Sequence, residues 1–252
     1  LGDVTAFSGR DLTAKQVVDA DVLLVRSITR INEKLLDKNT SLSFVGTATI
    51  GVDHIDIDYL DKRGIPFYSA PGCNAISVAE YVLSAMVIMA ERYLLTLSSL
   101  TVGIIGAGNT GTQLTKKLDA LGINYLLHDP LLENLGDSRA FNNLDEVLNC
   151  DVISLHVPIT KECQHATYHL LNSERLQKLR SDQILINACR GEVIDNQALL
   201  ELKQNGHKVK LVLDVWENEP TILQPLIEYA EIATAHIAGY SLEGKARGTE
   251  ML

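Results

Sequence analysis

Short apolar runs alternate with segments of helical spacing along the whole chain. Residues 22–25, 152–157 and 209–214 are short apolar runs of the kind that forms buried strands. Residues 174–179 and 197–204 instead place apolar positions at helical spacing. This alternation indicates an α/β fold with parallel sheets built from β-α-β units. The other predicted strands are 44–46, 66–69, 101–105, 123–129, 183–187 and 231–234, and the other predicted helices are 32–36, 58–63, 75–92, 112–121 and 144–148.

A glycine-rich loop joins the predicted strand at 101–105 to the helix that follows it. Gly106 permits a tight turn, Gly108 lets backbone N–H groups approach a pyrophosphate, and Gly111 lets the helix lie close to the strand. The next strand ends at Asp129, whose carboxylate can accept bonds from both ribose hydroxyls and would repel a 2′-phosphate. This pattern predicts a domain that binds NAD in preference to NADP, whereas a glycine-rich turn of another α/β fold leaves Asp129 unexplained. The predicted cofactor contacts in this stretch are Gly106, Gly108, Asn109, Thr110, Gly111 and Asp129.

Residues 75–92 form an apolar run that suits one long helix connecting two domains, so we place the domain boundary near Tyr93. Residues 93–240 then form the NAD-binding Rossmann domain, and residues 1–92 form an incomplete substrate-binding, flavodoxin-like domain. The predicted architecture is two Rossmann-like, doubly wound parallel-sheet domains with a cleft between them. The chain begins without Met and stops in a polar segment, so we expect truncation at both ends, with residues 241–252 starting a return to the first domain.

The composition is that of an ordinary globular protein, with 46% hydrophobic and 21% charged residues. The formal net charge of −10 argues against nucleic acid or an anionic membrane surface as a partner. No apolar run reaches the length of a membrane span, and no signal peptide is visible. The four cysteines are scattered without Cys-x-x-Cys spacing, so we interpret them as reduced thiols of a cytoplasmic protein.

Three residues suited to acid–base or anion chemistry follow predicted strands of the second half, namely Arg190, Glu219 and His236. The carboxyl ends of parallel strands share one edge of a sheet, so these side chains should lie on the cofactor side. Oxidation of a 2-hydroxy acid needs a cation for the carboxylate and a base for the hydroxyl proton. Arg190 suits the first role, His236 the second, and Glu219 could orient His236 and raise its pKa. Taken singly, Arg190 could equally be a surface cation, Glu219 a turn residue and His236 a loop histidine.

Three motifs resemble the signatures of the D-isomer-specific 2-hydroxyacid dehydrogenases. They are Asn187-Ala-Cys-Arg190-Gly, Asp214-Val-Trp-Glu-Asn-Glu219-Pro and His236-Ile-Ala-Gly239, and the resemblance runs over essentially the whole chain. It implies that Arg190 binds the substrate carboxylate and carbonyl, that Glu219 supports His236, and that His236 is the proton donor or acceptor. It also implies that Asp214 lies near the nicotinamide carboxamide and that Val157 lies in a loop beside the cofactor. Ala188, Cys189 and Gly239 are further expected cofactor contacts on the same ground.

Other stretches resemble one subfamily in particular, which oxidises 4-phospho-D-erythronate in vitamin B6 synthesis. They include Val25-Arg26-Ser27, residues 46–54 and the segment from His236 to Gly248. The resemblance implies that Ser27, Thr49 and Tyr240 touch a small phosphorylated hydroxy acid, and that the full-length protein is a homodimer. Arg26 could bind the phosphate through its guanidinium or be a strand-end surface cation. Another 2-hydroxy acid such as 3-phosphoglycerate remains an alternative substrate, and an NAD-sensing binding protein remains an alternative class.

Several other candidates are set aside on chemical grounds. His165 and His169 stand four residues apart, as two metal ligands on a helix would, but no third ligand accompanies them, so no metal is expected. Cys189 has no His or acid partner within its motif, so a small buried thiol is preferred to a nucleophile. Lys245 and Arg247 could form an anion patch or an ordinary solvated polar face.

Overall fold

The computed structural model describes residues 2–252. Its strands are β1 (Val22–Val25), β2 (Phe44–Thr47), β3 (Phe67–Ser69), β4 (Thr101–Ile105), β5 (Asn124–His128), β6 (Val152–Leu155), β7 (Ile184–Asn187), β8 (Lys210–Leu213) and β9 (Ala230–Ala233). Its helices are α1 (Glu33–Leu36), α2 (Ile57–Lys62), α3 (Ala75–Arg92), α4 (Asn109–Leu121), α5 (Pro130–Asn134), α6 (Leu144–Leu148), α7 (Ser173–Gln177), α8 (Asn196–Gln204) and α9 (Leu242–Glu250). Short 3-10 helices cover Leu97–Ser99, Gly191–Val193 and Gln224–Tyr229.

The helix starts follow the capping residues of the sequence. Asn32 caps α1 by accepting a bond from Leu35 N, and Asn143 opens α6 with a complete capping box. The predicted helix at 58–63 begins one residue earlier, because the Asp56 side chain accepts a bond from Tyr59 N. The short helix α5 was not predicted, and it is capped by the carboxylate of Asp129.

Contacts divide the chain into two compact units, the first comprising the chain up to Asn74 together with Leu242–Leu252 and the second comprising Ala75–Ser241. The first unit contains a parallel sheet in the order β1-β2-β3. Its own core includes Ile31, Leu36, Val45 and Leu60, none of which is exposed to solvent. Among the residues that the structure describes, no helix is both long and apolar enough to cross a membrane.

The second unit contains a six-stranded parallel sheet in the order β5-β4-β6-β7-β8-β9. From β4, the chain first adds β5 on one side of the sheet and then adds β6 to β9 on the other side. The sheet is therefore doubly wound, with its topological switch point between β4 and β6. In the described residues of the first unit the strand order shows no such reversal. The parallel α/β fold is therefore confirmed. Ligands of open α/β sheets bind outside the carboxyl ends of the strands at the switch point, where the glycine-rich loop lies.

The helix α3 has the predicted bounds but packs within the second unit. Val82, Met86 and Met89 on α3 are fully buried in one core with residues of β4 and α4. The predicted boundary near Tyr93 therefore differs from the observed division, which falls after Asn74. The physical reason is that α3 buries its apolar face against the six-stranded sheet and α4, so its contacts belong to the second unit.

This packing predicts the stability of two neighbouring variants on α3. Met86→Ala should lower the free energy of unfolding by about 2–5 kcal/mol, because it leaves a cavity in the core shared by α3 and α4. Val87→Ala is the matched control, since Val87 is 40% exposed and its truncation should change stability by less than about 0.5 kcal/mol. Urea denaturation measures both values, and equal losses in the two variants would contradict the observed packing of α3.

Candidate active site

The glycine-rich loop is tightly packed on its protein side and open on its outer side. Gly106 has a φ of +95°, and a Cβ there would lie 2.5 Å from the carbonyl oxygen of His156. A Cβ at Gly111 would lie 2.2 Å from the carbonyl oxygen of Gly106. At Gly108, by contrast, a Cβ would meet no atom within 4 Å. Because Gly108 is the N-cap residue of the 13-residue helix α4, this open space fits a pyrophosphate at the positive end of that helix.

Asp129 lies beside the glycine-rich loop and helps to hold it. Its Oδ2 accepts a bond from Ala107 N at 2.9 Å, and its Oδ1 accepts one from Leu132 N at 3.1 Å. Each carboxylate oxygen can accept more than one hydrogen bond, so the ribose hydroxyls of NAD remain suitable partners. The residues present therefore fit an NAD molecule. Asn109 and Thr110 form the start of α4 beside this loop, and Asn109 is exposed while Thr110 is half-buried.

Arg190 lies three residues after Asn187, the last residue of β7, and is placed by the buried side chain of Asn187. Asn187 Nδ2 donates to the carbonyl oxygen of Arg190 at 2.9 Å, and its Oδ1 accepts from Cys189 N at 3.2 Å. Arg190 Nη1 in turn donates to the carbonyl oxygen of Cys189. Burial raises the pKa of Cys189 to about 11, so its thiol stays protonated at neutral pH and is a poor nucleophile. Asn187 thus orients the turn that carries the proposed substrate-binding cation.

The turns that carry Arg190 and Glu219 are in direct backbone contact. A Cβ added to Gly191 would lie 2.0 Å from the carbonyl carbon of Trp216 and 2.3 Å from Glu217 N. Asn196 and Glu217 exchange two bonds, from Glu217 N to Asn196 Oδ1 and from Asn196 N to Glu217 Oε2. Only glycine permits this approach, because any side chain at position 191 would overlap main-chain atoms.

His169 supports the same contact from a third segment. It has a φ of +48° and lies outside any helix, so the idea of two ligands four apart on a helix does not apply to it. In the part of the chain that the structure describes, His169, Asp195 and Glu217 are the one cluster with metal-like spacing. However, Nε2 faces Glu217 Oε1 at 2.8 Å while Nδ1 faces Asp195 Oδ2 at 3.7 Å. Since these are opposite ring nitrogens, the geometry suits an imidazole bridging two carboxylates better than one metal ion.

His236 and Glu219 form a hydrogen-bonded pair at the carboxyl edge of the sheet. His236 Nδ1 lies 2.8 Å from Glu219 Oε2, and Glu219 Oε1 accepts a bond from Trp216 N at 2.8 Å. The bond to Glu219 raises the pKa of His236, and this outweighs the opposing effect of partial burial. Burial alone would raise the pKa of Glu219, but the bonds from His236 and Trp216 lower it overall. The His236 ring is about half exposed, so Nε2 can face a substrate hydroxyl.

The turn that carries His236 is fixed by the fully buried carboxylate of Asp214. Asp214 Oδ1 accepts bonds from Thr234 Oγ1 at 2.6 Å and Ile237 N at 2.8 Å, and Oδ2 accepts from Ala238 N at 2.9 Å. The Asp214 carbonyl oxygen accepts from His236 N at 2.7 Å. These bonds hold His236 at a φ of +55°, which side-chain-bearing residues rarely adopt. The predicted contact of Asp214 with the nicotinamide stays a prediction, and its observed partners give it a positioning role.

The helix α3 reaches the same turn through two hydroxyl groups. Tyr81 Oη and Thr234 Oγ1 are 2.7 Å apart, and because Thr234 donates its proton to Asp214, Tyr81 must donate to Thr234. Ser77 Oγ donates to the carbonyl oxygen of Ala238 at 2.7 Å. Sequence analysis missed Tyr81 and Ser77, because a polar residue on an apolar helix gives no sign of its distant partner, and it missed Thr234, because a single hydroxyl after a strand forms no pattern.

Three further predicted cofactor contacts lie at the same edge of the sheet, with Val157 following β6, Ala188 following β7 and Gly239 following β9. The structure adds His156, which directly precedes Val157 and was not singled out by the sequence. Its Nε2 lies 2.9 Å from Ser154 Oγ, and its buried Nδ1 has no hydrogen-bond partner among the described residues. Burial lowers the pKa of His156 to about 4, so the ring is neutral at physiological pH.

The predicted substrate residues are divided between the two units. In the first unit, Arg26 and Ser27 follow β1 and Thr49 follows β2, so all three lie at the carboxyl edge of the three-stranded sheet. The guanidinium groups of Arg26 and Arg247 both act electrostatically on the Cys73 thiol, and Arg247 Nη1 donates to the Cys73 carbonyl oxygen at 2.7 Å. Arg247 is thus tied into this unit and is more than a solvated cation. Tyr240 belongs to the second unit and is 71% exposed.

Comparison with known proteins identifies the class of this fold and site. Residues 80–238 match the family model of the D-isomer specific 2-hydroxyacid dehydrogenase, NAD binding domain. The chain belongs to this family of NAD-dependent oxidoreductases, and the cofactor of the matched domain is NAD. The fold is similar to that of the D-lactate dehydrogenase of Aquifex aeolicus solved with NAD and lactic acid, with a TM-score of 0.78 and 31% identity over 95% of this chain and 83% of the other.

Particular relatives are much more similar in sequence. The chain is 65% identical to the erythronate-4-phosphate dehydrogenase of Colwellia psychrerythraea, over 100% of this chain and 66% of the relative. It is 58% identical to the erythronate-4-phosphate dehydrogenase of Tolumonas auensis, over 100% of this chain and 68% of the relative. The chain thus spans about two thirds of the length of the curated relatives it matches.

The His236–Glu219 pair predicts a specific change in pH dependence. If His236 is the base that takes the hydroxyl proton, it must be neutral to act, so kcat for oxidation should rise with pH through the raised pKa of that ring. Glu219→Gln removes the anion that favours imidazolium, so the acidic limb of the profile should move to lower pH. A Glu219→Gln profile that coincides with that of the parent would show that the pair does not set the titration.

His236→Asn should lower kcat by about 10²–10⁴-fold while NAD affinity stays nearly unchanged.

Proposed function

We propose that the full-length protein oxidises 4-phospho-D-erythronate at C2 to (R)-3-hydroxy-2-oxo-4-phosphooxybutanoate, in the synthesis of pyridoxine 5′-phosphate. The observation that carries this proposal is the His236–Glu219 pair, held at the carboxyl edge of the NAD-binding sheet beside the Arg190 turn. The relatives that are 56–65% identical to this chain support the choice of substrate, since they bear the name erythronate-4-phosphate dehydrogenase.

Each residue of the edge has a role that follows from its chemistry. NAD, when bound, supplies the acceptor for the hydride that leaves C2. His236 Nε2 takes the proton of the C2 hydroxyl, and the positive charge that develops on the ring is stabilised by Glu219 at 2.8 Å. Arg190 provides the fixed cation for the substrate carboxylate and polarises the carbonyl group as it forms. The contacts of Cys189, Ala188 and Val157 with the cofactor are part of the same proposal.

The phosphate of this substrate requires a cation away from C2. In the first unit, Arg26 and Arg247 stand near the same Cys73 side chain, and Ser27 and Thr49 offer hydroxyl groups at the same sheet edge. Thr49 Oγ1 is oriented by a bond of 2.9 Å to the Gly51 carbonyl oxygen and by one of 2.8 Å to Thr47 Oγ1. Two guanidinium groups with neighbouring hydroxyls form a suitable phosphate site, so Arg26 and Arg247 are proposed as its cations. Tyr240 is proposed as a further substrate contact.

We also propose that the full-length protein is a cytoplasmic homodimer. The four cysteines Cys73, Cys150, Cys163 and Cys189 are free thiols, as is usual in a reducing compartment. The net charge of −10 supports a small-molecule substrate in preference to a nucleic acid.

Two alternatives are separated from this function by one assay. Oxidation of 3-phosphoglycerate would use the same edge residues, and an NAD-sensing binding protein would retain the fold without turnover. NAD reduction measured with a panel of phosphorylated and unphosphorylated 2-hydroxy acids should give the highest kcat/KM with 4-phospho-D-erythronate. A preference for 3-phosphoglycerate would replace the substrate, and absence of turnover by the full-length protein would favour the binding protein.

The phosphate site predicts a substrate-dependent defect in Arg26→Ala. Loss of one charge-assisted hydrogen bond should lower kcat/KM for the phosphorylated acid about ten- to a hundred-fold. An unphosphorylated 2-hydroxy acid should be oxidised as by the parent, because it does not reach Arg26. Arg30→Ala, which removes an exposed arginine from the same segment, is the matched control and should leave both substrates unaffected. Equal losses with both substrates would assign Arg26 a structural role.

A further inference from the structure

A second charged pair lies against the glycine-rich loop, outside the residues discussed so far. Arg139 Nε and Nη2 bind both carboxylate oxygens of Asp137, at 2.9 and 2.7 Å. The other terminal nitrogen, Nη1, donates to the Ala107 carbonyl oxygen and to Thr112 Oγ1, each at 2.9 Å. Arg139 thus joins the loop between Gly106 and Gly108 to the first turns of α4, while Asp137 occupies the bidentate edge of its guanidinium.

This pair is close to the predicted ribose site. Ala107 is bound on both sides of its backbone, its N–H by Asp129 and its carbonyl oxygen by Arg139. Arg139 also interacts electrostatically with Asp129. The Asp129 carboxylate, which is expected to bind the ribose hydroxyls, and the Arg139 guanidinium therefore bind the same residue, Ala107. A free guanidinium at such a position is what accommodates the 2′-phosphate of NADP in dinucleotide-binding folds.

Asp137 occupies the Nε–Nη2 edge of Arg139, and this edge has the fork geometry that also suits a phosphate. Guanidinium binds carboxylate and phosphate with the same fork geometry, so one anion excludes the other. The hydrogen bonds from Arg139 lower the pKa of Asp137 to about 2, so the carboxylate stays ionised throughout the physiological range. The occupation of Arg139 is therefore independent of pH in that range.

We infer that Asp137 is a specificity-determining residue that favours NAD by masking Arg139 from the 2′-phosphate of NADP. In this account Asp129 repels the 2′-phosphate, whereas Asp137 occupies the Arg139 guanidinium that would otherwise bind it. Arg139 has a separate positioning role, because it holds the Ala107 carbonyl oxygen whether or not Asp137 is present. The inference rests on NAD binding at this loop and is independent of the substrate proposed above.

The test is calorimetric titration of the full-length protein with NAD and with NADP, in the absence of any hydroxy acid. Asp137→Ala should bind NADP about ten-fold more tightly than the parent does, which is the usual effect of one charge-assisted hydrogen bond, and should bind NAD nearly as before. Asp137→Asn removes the charge but keeps a side-chain acceptor, so it should show the same gain or a smaller one. Glu133→Gln is the matched control, since it neutralises an exposed acid on the neighbouring helix α5 and should leave both affinities unchanged.

The double variant Asp137→Ala/Arg139→Ala decides the cause of any gain. If masking is the mechanism, the double variant loses the gain in NADP affinity. A gain that persists without Arg139, an equal gain in Glu133→Gln, or no gain in Asp137→Ala would each overturn the inference. NAD binding by the parent reports on the cofactor site itself, and turnover of the phosphorylated acid reports on the proposed function, so these failures are distinguishable.

Discussion

The hydrogen bonding of the buried Asp214 carboxylate is the interaction on which the geometry of the candidate active site depends. The carboxylate is inaccessible to solvent, and the three donors that bind it among the described residues all belong to the turn between Thr234 and Ala238. A buried carboxylate without such partners would be strongly destabilising, so the turn and the anion require each other. His236 is held at a positive φ within this turn, and its ring meets Glu219 as a consequence. The geometry of the His236–Glu219 pair therefore follows from the hydrogen bonds that Asp214 accepts.

Close backbone approaches supply the second constraint. Gly191 brings the Arg190 turn against the Trp216–Glu217 peptide, and Gly111 brings α4 against the Gly106 carbonyl group. These two contacts fix the Arg190 turn, the Trp216–Glu217 peptide and the glycine-rich loop at one edge of the six-stranded sheet. Side chains then fine-tune the arrangement, as Asn187 does for Arg190 and Arg139 does for the glycine-rich loop. The close backbone contacts thus set the distances between the turns, and the polar side chains set the orientation of each turn.

Sequence patterns predicted the strands and helices well, because strands of a buried parallel sheet are apolar throughout and helix starts carry Asn or Asp caps. They also predicted the His236–Glu219 pair, since both residues follow strands that end at one edge. The boundary near Tyr93 was harder, because an apolar helix does not reveal which of two cores it enters. The network of Tyr81, Thr234 and Asp214 was also hidden, since Tyr81 is more than a hundred residues from the other two and single hydroxyls carry no periodic signal.

The most direct test of the central claim is the NMR titration of the His236 ring in a double-variant cycle of Asp214→Asn and Glu219→Gln. If Asp214 holds the turn so that His236 meets Glu219, then Glu219→Gln lowers the His236 pKa in the parent and has little effect in the Asp214→Asn background. A lowering of the same size in both backgrounds would contradict the account. It would mean that Asp214 contributes only its charge and that His236 and Glu219 find each other without it.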